Sequence, residues 1–228
     1  MGVGVPKCGT TWWYHLLCAH PGVTGLQKEP YFFLKDERWP APDDATIAAY
    51  HELFPRPPGA LAGEWSPGYL QHFWMPAVLR RAAPDAKILV MLRDPVERYR
   101  SSVTVLSTRQ RGPLTSLRAY IQGCYATQLE WLYARFPPEQ VLVLQLERCT
   151  SEPEAELART FRFLGLGDDF VPADAARPVH ETKMQKVELD ATLRAELTRA
   201  YEPEVSRLPP LAPDVDVSRW TNFRHLVR

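Results

Sequence analysis

The sequence predicts an α/β domain in which a central, mostly parallel sheet is flanked by helices. Short apolar runs alternate with longer helical patterns along the 228 residues, and this alternation is typical of parallel sheets. The apolar runs are continuous, as expected for strands that are buried on both faces. The length of the chain is enough for one domain with a full core and marginal for two, and a hydrophobic content of 45% is ordinary for a globular protein.

Proline, glycine and capping residues bound most of the predicted elements. In chain order these are a strand over 2–5 before Pro6, a helix over 11–20 before Pro21, a helix over 47–54 before Pro55, a strand over 60–63, a helix over 73–83 before Pro84, a strand over 87–92, a helix over 95–106 after the N-cap Asp94, a helix over 114–136, a strand over 141–146, a helix over 154–164 before Gly165 and a helix over 188–208. The first strand starts one residue after Met1, so either the start is late or the strand is short.

Charge and cysteine content narrow the class of protein. The chain has 27 basic and 27 acidic side chains, so no overall charge attracts it to nucleic acid or an acidic membrane. Its four cysteines show no C-x-x-C spacing, which favours a reducing compartment. No apolar run approaches the length of a membrane span, and residues at the given N-terminus do not show the basic start and long apolar stretch that are typical of a signal peptide. We therefore expect a cytoplasmic protein with no integral membrane segment and no nucleic-acid partner.

A loop suited to a tetrahedral anion lies between the first strand and the first helix. Residues 4–12 read Gly-Val-Pro-Lys-Cys-Gly-Thr-Thr-Trp. The helix start offers unpaired N–H groups, Gly9 allows close approach of the backbone, and Lys7 adds charge. The loop is not a Walker A motif, because Thr10 and not lysine follows the last glycine. The alternative is an ordinary glycine-containing turn.

A second candidate anchor follows the strand over 87–92. Arg93 begins the run Arg-Asp-Pro-Val-Glu-Arg-Tyr-Arg-Ser, which ends at Ser101. An arginine fork can bind a phosphate through two hydrogen bonds. Ser101 lies about two helical turns later and can face the same side. The alternative is a local ion pair between Arg93 and Asp94.

Together the two motifs resemble those of the PAPS-dependent sulfotransferases, where PAPS is 3′-phosphoadenosine 5′-phosphosulfate. The resemblance implies a P-loop-like three-layer fold and a single sulfotransferase domain over residues 1–228. It implies that the 5′-phosphosulfate is bound by Lys7, Cys8, Gly9, Thr10 and Thr11. It also implies that Lys7 stabilises the leaving oxygen, that Trp12 stacks on adenine, and that Arg93 and Ser101 hold the 3′-phosphate. The alternative for Trp12 is core packing.

The catalytic base is predicted from a third segment. Residues 27–33, Gln-Lys-Glu-Pro-Tyr-Phe-Phe, resemble the carbohydrate and heparan-sulfate-type sulfotransferases, in which an acidic residue precedes a Phe-Phe pair. The resemblance implies that Glu29 takes the acceptor proton. The alternative is a surface glutamate paired with Lys28. His51 and His72 are rival bases, because the cytosolic small-molecule sulfotransferases use a histidine.

Two positions depart from the pattern or match it only loosely. Residues 64–69, Glu-Trp-Ser-Pro-Gly-Tyr, resemble a segment that carries a catalytic lysine where this chain has Trp65. Either Lys7 alone supplies the cation, another residue substitutes, or the acceptor differs. Trp65 itself either stacks on the acceptor or packs in the core. Lys183 matches the lysine of a basic stretch that closes over the nucleotide, but the next two residues do not match.

The leading hypothesis is a metal-independent, in-line transfer of a sulfonate from PAPS to an acceptor hydroxyl or amine, leaving adenosine 3′,5′-bisphosphate. The acceptor is a carbohydrate, a glycolipid or a hydroxylated small molecule, and a bacterial cytoplasmic enzyme fits best. Two alternatives stay open. One is a P-loop kinase-like phosphotransferase, and the other is a nucleotide-binding module without catalytic activity.

Overall fold

A five-stranded, all-parallel sheet organises the chain in a computed structural model that describes residues 1–35, 42–106, 113–176 and 185–227. The strands are β1 Gly2–Gly4, β2 Val23–Lys28, β3 Leu61–Trp65, β4 Ile88–Leu92 and β5 Val141–Gln145. They lie in the order β2-β3-β1-β4-β5, and every neighbouring pair is parallel. This confirms the predicted α/β class and its mostly parallel sheet.

Helices flank the sheet. Their bounds are α1 Thr10–Cys18, α2 Asp44–Glu52, α3 Met75–Ala82, α4 Pro95–Leu106, α5 Pro113–Ile121, α6 Tyr125–Tyr133, α7 Leu146–Ser151, α8 Pro153–Leu164, α9 Ala191–Ser206 and α10 Leu208–Leu211. Every residue of β4 and of β5 is buried, because both faces of these strands are covered. None of the described helices is both long and apolar enough to cross a bilayer.

Two expectations about the elements were wrong. Strand β2 was not predicted, because it is an edge strand with polar residues and has Gly25 in a left-handed conformation. The long helix over 114–136 is two helices, α5 and α6, separated by residues 122–124. Gly123 marks the break, where the chain passes close to Tyr201 of α9. Apolar residues on both sides of this break made the sequence pattern resemble that of one continuous helix.

The strand order brings the predicted motifs to one edge of the sheet. From the central β1 the chain moves outward to β2, returns through β3, and then crosses to β4 on the other side. Ligands of open α/β sheets bind beside such a reversal, at the carboxyl ends of the strands. Lys7 follows β1, Glu29 follows β2, and Arg93 follows β4, so all three lie along this edge.

We predict that Gly123→Ala destabilises the protein without disturbing the sheet. A Cβ atom at this position would lie 2.7 Å from the ring and hydroxyl of Tyr201. Tyr201 is fully buried and donates to the carbonyl of Tyr120 at 3.0 Å, so it cannot move aside freely. Overpacking of this kind costs about 1–3 kcal/mol, which urea unfolding measures.

The matched control is Gly167→Ala, where the nearest atom to the new Cβ would be a carboxylate oxygen of Asp169 at 3.2 Å. That side chain can move, so we expect a small change. Equal unfolding free energies for the two variants would contradict the close packing of Gly123 on Tyr201.

Candidate active site

The loop after β1 is shaped by one glycine. Gly9 is the N-cap of α1 and has φ 84°, a left-handed conformation that glycine adopts without a steric penalty. A Cβ here would lie 2.6 Å from Cδ1 of Leu146 and 3.5 Å from Sδ of Met91. Gly9 therefore lets the loop pack on the ends of β4 and β5 while α1 begins. The first N–H groups of α1 have no partners within the helix and can bind an anion.

Left-handed backbone conformations cluster at this edge of the sheet. Lys7 has φ 70°, Glu29 has φ 55° and Tyr31 has φ 47°. Such a conformation costs an ordinary residue about 1–3 kcal/mol and is concentrated at functional sites. The two predicted catalytic residues, Lys7 and Glu29, are thus both held in conformations that their side chains do not favour.

The two predicted anion-binding motifs contact each other directly. Nη1 of Arg93 donates to the carbonyl of Lys7 at 3.3 Å. Tyr125 of α6 is 1% exposed, and its hydroxyl donates to the carbonyl of Arg93 at 2.8 Å. The same hydroxyl lies 3.8 Å from Sγ of Cys8. Tyr125 therefore fixes the end of β4 against the loop after β1, which brings the two motifs together.

The start of α4 is fixed by Asp94, as predicted. Its Oδ1 accepts the N–H groups of Val96 at 3.0 Å and Glu97 at 3.3 Å. Its Oδ2 accepts from the backbone and side chain of Asn222, and burial raises the pKa of this carboxyl above its ordinary value. Asp94 is thus a cap and not an ion-pair partner of Arg93. Half-buried Ser101 lies in α4, which begins two residues after Arg93.

Two residues of the loop direct their side chains into the core. Cys8 is fully buried, and burial raises the pKa of its thiol to about 12. Trp12 is 2% exposed and its ring meets the ring of Trp13 edge-on at 5.2 Å. Trp12 therefore packs in the core and offers no open face to adenine in this structure. Cys8 can contribute only its backbone to an anion, whereas Lys7 and Thr11 are partly exposed.

Glu29 is held by the segment that follows β3. Its N–H donates to the carbonyl of Trp65 at 2.9 Å. Two residues later the N–H of Tyr31 donates to Oγ of Ser66 at 3.2 Å, and that hydroxyl donates to Oε2 of Glu64 at 2.5 Å. Glu64 is 1% exposed, and burial raises the pKa of its carboxyl. Buried groups of β3 thus set the backbone that carries the predicted base.

The side chain of Glu29 is 44% exposed and contacts the ammonium of Lys28. This is the surface pair named as the alternative, and the carboxylate stays partly exposed within it. Burial, together with the charge of Glu29, raises the pKa of Tyr31 to about 12. Tyr31 therefore stays protonated at neutral pH.

The rival histidines lie in different places. His51 bonds the carbonyl of Ala82 at 2.8 Å, and Ala82 ends α3, on the approach to the amino end of β4 and away from the site. His72 lies 3.3 Å from the side-chain amide of Gln71, and burial lowers the pKa of its ring. Its ring also packs on the ring of Trp74 with the centroids 4.7 Å apart.

Trp65 and Lys183 are the remaining predicted positions, and the structure describes only the first. Trp65 is 1% exposed and its ring covers Gly2, so it packs in the core and does not stack on an acceptor. Lys183 lies outside the described residues. Val187, four residues later, donates its N–H to Oγ1 of Thr104 in α4 at 3.0 Å. Sequence reasoning missed Tyr31 and Tyr125, whose roles depend on contacts between distant elements.

Comparison with known proteins identifies the family. The Sulfotransferase family profile matches residues 1–169. Human heparan sulfate glucosamine 3-O-sulfotransferase 3B1 is 35% identical over 181 residues, covering 72% of this chain and 45% of that protein. Human bifunctional heparan sulfate N-deacetylase/N-sulfotransferase 2 is 28% identical over 189 residues and is covered over 21% of its length. The chain thus spans less than half of either relative.

Two solved structures share the fold. The sulfotransferase from Alicyclobacillus acidocaldarius superposes with a TM-score of 0.75 at 30% identity, covering 96% of each chain. The sulfotransferase domain from the curacin biosynthetic pathway has a TM-score of 0.57 at 14% identity, covering 78% of this chain and 76% of that one. The matched profile includes the loop after β1, the segment after β2 and the start of α4. On the profile and these similarities, the chain belongs to the Sulfotransferase family.

Proposed function

We propose that this protein transfers a sulfonate group from PAPS to a hydroxyl group of a carbohydrate acceptor. The observation that carries the proposal is the contact between Arg93 and the carbonyl of Lys7. It joins two cation-bearing motifs beside the start of α1, as a nucleotide with phosphates at both its 5′ and 3′ positions requires. The names of the relatives support a carbohydrate acceptor, since those proteins act on heparan sulfate.

In this proposal the donor lies across the carboxyl ends of β1 and β4. The N–H groups at the start of α1 and the hydroxyls of Thr10 and Thr11 surround the 5′-phosphosulfate. Arg93 and Ser101 hold the 3′-phosphate, for which a guanidinium fork is well suited. The role of Lys183 over the nucleotide stays a prediction.

The transfer step uses groups on opposite sides of the sulfur. Glu29 accepts the proton of the acceptor hydroxyl as the acceptor oxygen forms its bond to sulfur. The bond between sulfur and the bridging oxygen breaks, and the electron pair stays on the phosphate of adenosine 3′,5′-bisphosphate. Lys7 and the helix N–H groups stabilise that charge. Because β1 and β2 are separated by β3, sheet spacing puts their ends about 10 Å apart, which leaves room for the sulfonate between loop and base.

We predict that Arg93 confers preference for a 3′-phosphate. Wild-type protein should bind adenosine 3′,5′-bisphosphate more tightly than adenosine 5′-phosphate in a calorimetric titration. Arg93→Ala should lose affinity for the bisphosphate by about tenfold or more, because hydrogen bonds to charged groups are worth about 1.5–3 kcal/mol. Its affinity for the monophosphate should fall by less, since that nucleotide loses only the support that Arg93 gives to the loop through the carbonyl of Lys7.

Arg81→Gln is the matched control, because Arg81 lies in the last turn of α3, leading to the amino end of β4, and pairs there with Asp44. It should bind both nucleotides as the wild type does. Equal loss of both nucleotides in Arg93→Ala would mean that the arginine only supports the loop. Equal binding of both nucleotides by the wild type would overturn the donor site.

We also predict that Glu29→Gln abolishes most turnover and keeps donor binding. A general base contributes about 10²–10⁴-fold to the rate, so sulfonate transfer from PAPS to heparan sulfate oligosaccharides should fall by about that factor. Affinity for adenosine 3′,5′-bisphosphate should be unchanged. The control Glu52→Gln alters an exposed glutamate at the end of α2. A Glu29→Gln variant as active as this control would exclude Glu29 as the base.

A further inference from the structure

The peptide group between Arg93 and Asp94 is held on both sides by hydrogen bonds. Its carbonyl accepts from the hydroxyl of Tyr125 at 2.8 Å, and its N–H donates to Oε1 of Glu147 at 3.0 Å. Tyr125 belongs to α6, and Glu147 lies in α7, just after β5. Because this peptide lies between the end of β4 and the start of α4, its orientation helps to set the direction of the Arg93 side chain.

Trp220, near the end of the chain, supports both of these partners. Its Nε1 donates to Oε2 of Glu147 at 3.0 Å, so the two oxygens of this carboxylate are held by Trp220 and by the N–H of Asp94. The indole ring also lies beside the ring of Tyr125, with the centroids 6.1 Å apart. Trp220 is fully buried, and it therefore packs behind both groups that hold the peptide.

Asn222, two residues later, holds the side chain of Asp94. Its backbone N–H and its Nδ2 both donate to Oδ2 of Asp94, at 3.1 and 2.8 Å. Its Oδ1 accepts from Nη1 of Arg194 in α9 at 3.0 Å, which orients the amide with Nδ2 toward Asp94. The other oxygen of Asp94 caps α4 through the N–H groups of Val96 and Glu97. Asn222 therefore fixes the carboxylate that begins α4.

Membership of the family does not by itself predict these contacts. The Sulfotransferase family profile matches residues 1–169, whereas Trp220 and Asn222 lie in the C-terminal segment, residues 217–227. The side chains of Trp220 and Phe223 are fully buried, so this segment is packed into the domain. Its hydrogen bonds to Asp94 and Glu147 reach the junction that presents Arg93.

We propose that Trp220 and Asn222 are positioning residues of the donor site, which hold Arg93 where its guanidinium can bind the 3′-phosphate of PAPS. In this proposal neither residue touches the nucleotide: Trp220 acts through Tyr125 and Glu147, and Asn222 acts through Asp94. A group that is already held in its binding position loses less freedom when the ligand binds, and this increases affinity. The inference rests on the proposed function, because it concerns the binding of that donor.

The test is a double-mutant cycle of Asn222→Ala and Arg93→Ala, measured by calorimetric titration with adenosine 3′,5′-bisphosphate and adenosine 5′-phosphate. Asn222→Ala should weaken binding of the bisphosphate by about fivefold, the equivalent of one hydrogen bond of ordinary strength. Its affinity for the monophosphate should fall by less. In the Arg93→Ala background the same substitution should have no further effect, because the group that Asn222 positions is absent.

Trp220→Phe is the second variant. It keeps an aromatic ring in the buried position and removes the N–H that Glu147 accepts. We expect the same loss of preference for the bisphosphate, and again no further loss when Arg93 is alanine. A substitution that only destabilised the fold would weaken both nucleotides in both backgrounds.

Ser218→Ala is the matched control, because the exposed Ser218 donates to Oδ1 of Asp216 at 2.6 Å within the same segment. It should bind both nucleotides as the wild type does. The positioning role is overturned, and the donor site is unaffected, if Asn222→Ala loses both nucleotides equally, loses as much affinity without Arg93 as with it, or loses none.

Failure of the proposed function itself gives a different result, since the wild type would then not bind adenosine 3′,5′-bisphosphate. Circular dichroism and urea unfolding of each variant show that a loss of binding is not a loss of fold. If Asn222→Ala does not fold, the same cycle with Trp220→Phe decides the question.

Discussion

The hydrogen bond from Arg93 to the carbonyl of Lys7 is the interaction on which the donor side of the site depends. It joins the ends of two adjacent parallel strands. The hydroxyl of Tyr125 supports this arrangement by donating a hydrogen bond to the carbonyl of Arg93. A parallel sheet alone collects strand ends at one edge, but it does not decide which side chains meet there. The buried Tyr125 determines which side chains meet, because its hydroxyl contacts both the loop after β1 and the end of β4. Two candidate anion sites are thereby brought together, as the proposed nucleotide donor requires.

The acceptor side depends on a different principle, the need of a buried carboxylate for partners. Glu64 is held under the cleft, where burial disfavours its charge. Tyr50 and Ser66 donate to it at 2.7 and 2.5 Å, and Ser66 in turn receives the N–H of Tyr31. A buried polar network in which some groups lack hydrogen-bond partners is costly. The bond from Tyr31 to Ser66 belongs to the network around Glu64, and it also holds the segment that carries Glu29. Glu29, the proposed base, therefore takes its position partly from a buried acid that lies beneath it in the chain's hydrogen-bond network.

The sequence was informative where function depends on local pattern. Strand β4 and the Asp94 cap of α4 follow from an apolar run and a capping residue, and both are present. The loop around Gly9 could be placed because its residues are contiguous. Sequence reasoning failed where the outcome depends on distant packing. Edge strand β2 lacks an apolar run, the break at Gly123 is decided by Tyr201 on another helix, and nothing local distinguishes a buried Trp12 from an adenine-stacking one.

Buried Arg98 connects α4, on the donor side of the site, to α5. Its guanidinium has no ion pair in the described part of the chain and is instead bonded to Ser102, Gln122 and the carbonyl of Ala119. Ala119 lies near the carboxyl end of α5, where the partial negative charge of the helix favours a cation. The same Gln122 reaches Gln71 on the acceptor side. Because Arg98 belongs to α4, the helix that begins beside Arg93 and carries Ser101, these bonds join that helix to α5 and to the residue that follows α5.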